Sequence, residues 1–127
     1  MIEGYTNRIY ANIRIEPKPT PRPRLGRNGN VYNEDWYIHY RNAIGKQACR
    51  QMGGVYIETP CAVEIVCFKN RRTDTRNFGD ADNLAKGVLD SLIGVILADD
   101  SLVTELRIKK CQSADPNIQG FDIHIYY

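Results

Sequence analysis

The stretch Ala62–Lys69 has apolar side chains on both sides of the strand it would form. Val63, Ile65 and Cys67 face one way, and Ala62, Val66 and Phe68 face the other. A strand of this kind belongs inside a sheet, with neighbours at both edges. Other segments supply those neighbours. In Arg8–Ile15, Ile9, Ala11, Ile13 and Ile15 alternate with Tyr10, Asn12 and Arg14, the pattern of a half-buried strand. Leu102, Thr104, Leu106 and Ile108 alternate as a third strand running into Lys109 and Lys110. Phe121, Ile123, Ile125 and Tyr127 make a last one after a turn at Ala114–Asn117.

Two helices fall between these strands. Asn33 is placed to cap the first, with Glu34 and Asp35 in its opening turn. Trp36, Tyr40, Ala43, Ile44, Gln47 and Ala48 follow at helical spacing, and Gly53-Gly54 closes it. The second helix starts near Asp82. Leu84, Val88, Leu92 and Ile96 form one apolar row, Ala85, Leu89 and Ile93 the next, and Gly94 unwinds its end. Pro17–Asn30 holds four prolines and two glycines between Lys18, Arg22, Arg24 and Arg27, and reads as an extended basic loop. The order β-α-β-α-β-β predicts an α/β (α+β) fold, a mixed sheet with two main helices packed on it. At 127 residues the expectation is a single domain spanning 1–127.

No apolar run approaches the roughly 20 residues of a membrane helix. The start, Met1-Ile2-Glu3-Gly4-Tyr5, has neither a basic cluster nor an apolar stretch, so a cytoplasmic location is expected. Cys49, Cys61, Cys67 and Cys111 lack metal-ligand spacing and read as buried free thiols.

The charge distribution carries the functional signal. Between Asp80 and Asp100 five aspartates meet one base, Lys86, giving −4; the chain is +2, so the remainder carries +6. An acidic focus in a basic protein calls for a divalent cation, and the surrounding basic surface calls for a polyanion. Asp80 and Asp82, two apart, project to the same side if the segment is extended. Lys86 lies one helical turn beyond Asp82. If the third strand folds back beside the strand preceding Asp80, Asp99 or Asp100 returns to the pair. Carboxylates and water are the hard oxygen donors that Mg²⁺ prefers, and a bound Mg²⁺ with Lys86 beside it suits hydrolysis of a phosphodiester. Each feature also has a purely structural use: Asp82 as a helix cap, Asp99-Asp100 as a solvated turn, Lys86 as a partner for Asp90. Asp90 is assigned a structural role.

The run Gly79-Asp80-Ala81-Asp82-Asn83-Leu84-Ala85-Lys86-Gly87-Val88-Leu89-Asp90, then Ala98-Asp99-Asp100-Ser101-Leu102-Val103, resembles the RusA family of Holliday-junction resolvases. The shared pattern is D-x-D-N-x-x-K-x-x-x-D followed by D-D-x-x-V and a basic strand. The proline-arginine loop and the helix bearing Trp36-Tyr37 and Tyr40-Arg41 are also similar, so the likeness spans nearly the whole chain. It implies a homodimer that binds four-way DNA junctions in recombination and repair, and nicks them symmetrically with Mg²⁺ or Mn²⁺. It also implies a bacterial or phage source, often a prophage. Carried over by position, the metal ligands are Asp80, Asp82 and Asp100, with Asp99 left open, and Lys86 is the catalytic lysine.

Expected DNA contacts are Arg22 and Arg24 (with Lys18 and Arg27) on the proline loop, Arg71, Arg72 and Arg76 before the acidic site, and Lys109 and Lys110 after it. Each of these alone also serves as an ordinary solvated surface residue. Trp36 and Tyr40 are assigned to the core, and His39 and His124 receive no catalytic role. The competing function is a junction-binding protein that does not cut. A DxD glycosyltransferase would need more chain, and a phosphatase would want Asp80 directly after an apolar strand.

Overall fold

β4 (Cys61–Asn70) is a central strand, as its two apolar faces require. The sheet order is β1-β6-β4-β5, with β1 Arg8–Ile13, β5 Val103–Ser113 and β6 Gly120–Tyr126. β6 runs antiparallel to both β1 and β4, while β5 runs parallel to β4, so the sheet is mixed. The computed structural model describes residues 4–21, 24–29, 31–70, 79–113, 115 and 117–127. Arg22, Arg71, Arg72 and Arg76 therefore lie outside the described residues.

Helices α1 (Asp35–Gln51) and α2 (Ala81–Leu92) cover one face of the sheet. Ile13, Val63, Ile65, Cys67, Phe121 and Ile123 present that face, and Tyr37, Ile44, Leu84, Val88 and Leu92 pack down on it, all fully buried. Among the described residues the opposite face holds a small cluster of Ala62, Tyr126 and Tyr5. The result is the α+β arrangement expected from the order of elements; the four cysteines are free, but only Cys61 and Cys67 are buried, Cys49 and Cys111 being half-buried.

Local differences have local causes. β1 stops at Ile13 instead of Ile15. The N-cap of α1 is Glu34, not Asn33, and it makes no side-chain capping bond; its carboxylate accepts the indole N–H of Trp36 instead. The proline loop contains a short ribbon, β2 (Arg24–Leu25) against β3 (Val31–Tyr32), turned by Gly26 and by Gly29 at φ +83°. In β5 the register against β4 slips, Cys61 facing Val103 but Ala62 facing Glu105, so Thr104 is an extra residue. The alternation read from Leu102 onward is broken there: Val103, Leu106 and Ile108 share the helix-covered face, and the Thr104 hydroxyl bonds to the Cys61 carbonyl.

The direction of β5 matters most for function. The chain leaves the end of β4, returns along α2, and enters β5 parallel to β4. The start of α2 therefore stands at the far end of β4, and the start of β5 stands beside the beginning of β4.

Candidate active site

Two segments, the proline loop and β5, converge on Gly79, the residue before the acidic pair. Gly79 has φ +97°, and a Cβ placed on it would sit 3.0 Å from the Pro19 ring, so only glycine fits without strain. Lys110, pointing from β5 to the helix-covered face, donates a hydrogen bond from Nζ to the Gly79 carbonyl at 3.1 Å. Thr20 Oγ1 donates to the Asn83 carbonyl in the first turn of α2 at 2.7 Å. The proline loop is tied in turn to α1, since the Lys18 amide donates to Tyr40 Oη at 3.1 Å. The turn that presents the acidic pair is thus held from the proline loop and from β5.

α2 begins one residue earlier than the sequence suggests. Asp80 is its N-cap, in extended conformation, and Asp82 lies in the first turn. The two carboxylates are therefore not set side by side by an extended strand; they flank a helix N-terminus. Asp80 makes no side-chain capping bond, and both residues are exposed. Unlike an ordinary N-cap, the Asp80 carboxylate is left available for a ligand. The positive end of the helix dipole offsets part of their mutual repulsion.

Lys86 is exposed one turn further along α2. Among the described residues it does not pair with Asp90, which instead accepts the phenol O–H of buried Tyr37 at 2.8 Å. Burial and that bond push the Tyr37 phenol up to about 12. That bond ties Asp90 on α2 to Tyr37 on α1.

Asp99 and Asp100 do not join Asp80 and Asp82 within one chain. Because β5 runs parallel to β4, they sit beside the beginning of β4, beyond the far end of α2, a helix about 18 Å long. Folding back beside β4 was the correct expectation; the direction sends the pair to the wrong end. Asp99 caps the 3-10 turn Asp100–Leu102, its Oδ2 accepting from the Ser101 amide and hydroxyl, and this bonding lowers its pKa. Asp100 opens that turn and is exposed. Among the described residues no group of three or more His, Cys, Asp or Glu side chains is placed to hold a metal ion. Two exposed carboxylates still fit Mg²⁺, which is commonly held by one or two of them together with water and substrate phosphate.

The basic residues divide. Lys109 and Lys110, adjacent in sequence, point to opposite faces of β5, so only Lys110 reaches the site. Arg24 lies in β2 and Arg27 is exposed in the turn after it. Lys18 Nζ lies 5.7 Å from the ring of Trp36, which is 38% exposed and therefore a surface residue; Tyr40 is core.

Two features had no clear sequence signal. Lys69 is 9% exposed at the same end of β4 as Gly79, with Nζ 3.8 Å from Glu16; inside an apolar strand it read only as the strand's polar terminus. A groove of about 650 Å³ between α1 and α2 is lined by Arg41, Lys46, Arg50 and Asp90. The Arg41 guanidinium lies over Tyr37 at 5.0 Å, and its Nε is buried without a hydrogen-bond partner among the described residues. Lys46 and Arg50, four apart, share one side of α1, while Arg41 flanks the groove from the other side, so the spacing of the three cations does not mark a single helix face.

A family model described as endodeoxyribonuclease RusA matches residues 14–121, from just after β1 into β6. The chain belongs to the RusA family. The match includes the whole Gly79 junction and both aspartate pairs. A similar protein is the uncharacterized protein YqaN of Bacillus subtilis (strain 168), 24% identical over 131 residues, covering 87% of this chain and 92% of that protein. No helix among the described residues is long and apolar enough to cross a membrane.

Proposed function

We propose that this RusA-family chain is a metal-dependent endodeoxyribonuclease that resolves four-way DNA junctions by phosphodiester hydrolysis, working as a homodimer. The observation that carries the reading is the Gly79 junction. A glycine with left-handed φ, a proline-loop anchor at Pro19 and Thr20, and the Lys110 bond all fix a helix N-terminus at which Asp80 makes no side-chain capping bond. Such construction serves a ligand better than it serves the helix.

Asp80 and Asp82 are the proposed ligands of Mg²⁺, with Mn²⁺ as substitute and Asp100 as the further family ligand. When bound, the ion supplies Lewis-acid activation and neutralises charge on the scissile phosphate. Lys86, one turn along α2, adds positive charge where the phosphate charge grows. Lys110 holds the turn. Lys18 and the cations of the α1–α2 groove carry the phosphate backbone, together with the expected contacts Arg22, Arg24, Arg71, Arg72, Arg76 and Lys109. A junction has two equivalent strands to cut, which a two-fold dimer meets with two equal sites.

The test is incubation of a labelled four-way junction and of linear duplex with the protein, in Mg²⁺ and in EDTA. Paired symmetric nicks confined to the junction and dependent on metal support the reading. Tight junction binding with no nicks in Mg²⁺ or Mn²⁺ replaces it with a binding protein.

A further inference from the structure

The groove between α1 and α2 is made by residues that give up side-chain volume. At Gly45 the helices touch backbone to backbone: a Cβ there would stand 2.7 Å from the Ser91 carbonyl. Ser91 adds no reach, because its hydroxyl folds back to donate to the Gly87 carbonyl at 2.6 Å. α2 then ends at Leu92, and the chain turns away through Ile93, in extended conformation, and Gly94 at φ +78°. What remains beside α1 is the space of about 650 Å³, with a mostly apolar surface that includes Gly45, Cys49, Ile93 and Val95. A concave site of this size holds a small organic group.

The charges around it narrow the occupant. Arg41 stands at one margin and Lys46 with Arg50 at the other, three cations against one carboxylate, Asp90. That balance favours an anion, yet a phosphate alone has no use for an apolar floor and is repelled by Asp90. A nucleotide uses all of these groups. Its phosphates meet the cations, its ring covers the floor, and its edge donates N–H to the carboxylate. Asp90 accepts the Tyr37 O–H on Oδ2, which leaves Oδ1 to accept a second donor. The Arg41 guanidinium is held over the Tyr37 ring, and a guanidinium plane is a surface on which an unpaired base stacks.

The groove is also continuous with the acidic pair. Asp82, Lys86 and Asp90 follow one another at intervals of four residues, on one ridge of α2. Asp90 therefore stands about 12 Å from Asp82 along the helix axis. Phosphates of one duplex strand are about 3.4 Å apart along the axis, so a strand with a phosphate at Asp82 reaches the groove within about four nucleotides. Inside a duplex the bases are stacked and their edges paired. At the crossover of a four-way junction a base leaves the stack at lower cost.

We propose that the α1–α2 groove takes one unpaired base of the strand being cut, a base with an amino group on its edge, stacked on Arg41 and read by Asp90. The site rests on the junction-resolving reading above and adds to it a preference for base type.

The test uses a four-way junction in Ca²⁺ carrying 2-aminopurine, in turn, at each position within about four nucleotides of the crossover. This probe has an amino group and brightens when it leaves the base stack. Wild type should brighten one position severalfold. Val95→Phe fills the groove from an exposed position and should abolish the brightening, while a gel shift shows the junction still bound. A bound junction with no brightened position, or brightening unchanged in Val95→Phe, overturns the groove as a base site and leaves the nuclease reading intact. The second readout is the gel shift of junctions with each natural base at the brightened position. Adenine, cytosine and guanine should each bind about tenfold tighter than thymine, which lacks the amine, the difference made by a hydrogen bond to a charged acceptor. Asp90→Asn keeps an acceptor for Tyr37 and should shrink this preference to about twofold. No preference in wild type, or the same preference in Asp90→Asn, overturns the proposal. Should Val95→Phe fail to bind the junction, the Asp90→Asn comparison decides. A wild type that does not bind the junction at all overturns the junction reading and the base site with it.

Discussion

Lys110 Nζ donates to the Gly79 carbonyl, 31 residues away in sequence, at 3.1 Å. That bond joins the edge strand of the sheet to the turn that presents Asp80 and Asp82. It makes the lysine a positioning residue for the carboxylates as well as a positive charge near them. Lys110→Met should reduce cutting of a four-way junction at least about tenfold, the loss expected for a hydrogen bond made by a charged group. The circular dichroism spectrum should be unchanged and junction binding weakened far less. Equal loss of binding and cutting would assign Lys110 to DNA contact instead.

Lys86 differs from Lys110 in being exposed and unpaired among the described residues. Lys86→Ala should lower the cutting rate by about 10²-fold, as for loss of a group that stabilises transition-state charge. The melting temperature should stay within a degree or two. Single-turnover cleavage with pre-bound junction separates this from an effect on binding.

Tyr37 is the interior support of α2. Its O–H bond to Asp90 is made from a fully buried ring; Tyr37→Phe removes that bond and the contact of the same oxygen with the Thr20 hydroxyl. The substitution should cost about 1.5–3 kcal/mol, because the acceptor is a carboxylate. Urea unfolding measures this directly, with an unchanged slope and a lower midpoint.

His124 sets an acid limit on stability. It lies on the helix-free face between Tyr10 and Tyr126, facing Glu64 and Asp122, and its pKa is lowered first by burial and then by Arg8. A histidine pKa depressed by folding means that the unfolded chain binds the proton more readily. Stability from this source is complete above the ordinary histidine value near 6.5 and falls as pH drops through the folded value. His124→Gln should flatten the fall in melting temperature between about pH 6.5 and 5. A wild-type melting temperature that is level across this range would contradict the assignment.

Much of the fold was legible in the sequence because burial leaves a period. The two apolar faces of Ala62–Lys69 placed a central strand, and the rows Leu84–Val88–Leu92 and Ala85–Leu89 placed α2 with its buried face. The Thr104 bulge was hidden, since one extra residue in a strand changes which side chains share a face without changing composition. The Gly26–Gly29 ribbon was hidden among prolines that argued only for an irregular path. At the site, the DxD pair and Lys86 were legible from residue type and spacing. The direction of β5 was not: alternation identifies a strand but is the same for parallel and antiparallel neighbours. That ambiguity is why Asp99-Asp100 could be expected beside Asp80 and yet stand at the far end of α2. Lys69 and Arg41 were missed because their significance comes from burial, which long-range packing decides.

The central claim is that Asp80 and Asp82 hold a catalytic cation on a surface that binds junction DNA independently. Wild type and Asp82→Asn should be compared on one labelled four-way junction, binding scored by gel shift in Ca²⁺ and cutting in Mg²⁺. The account predicts equal binding and a loss of cutting of at least about 10³-fold in the variant. Undiminished cutting by Asp82→Asn, or binding lost in step with cutting, would contradict it.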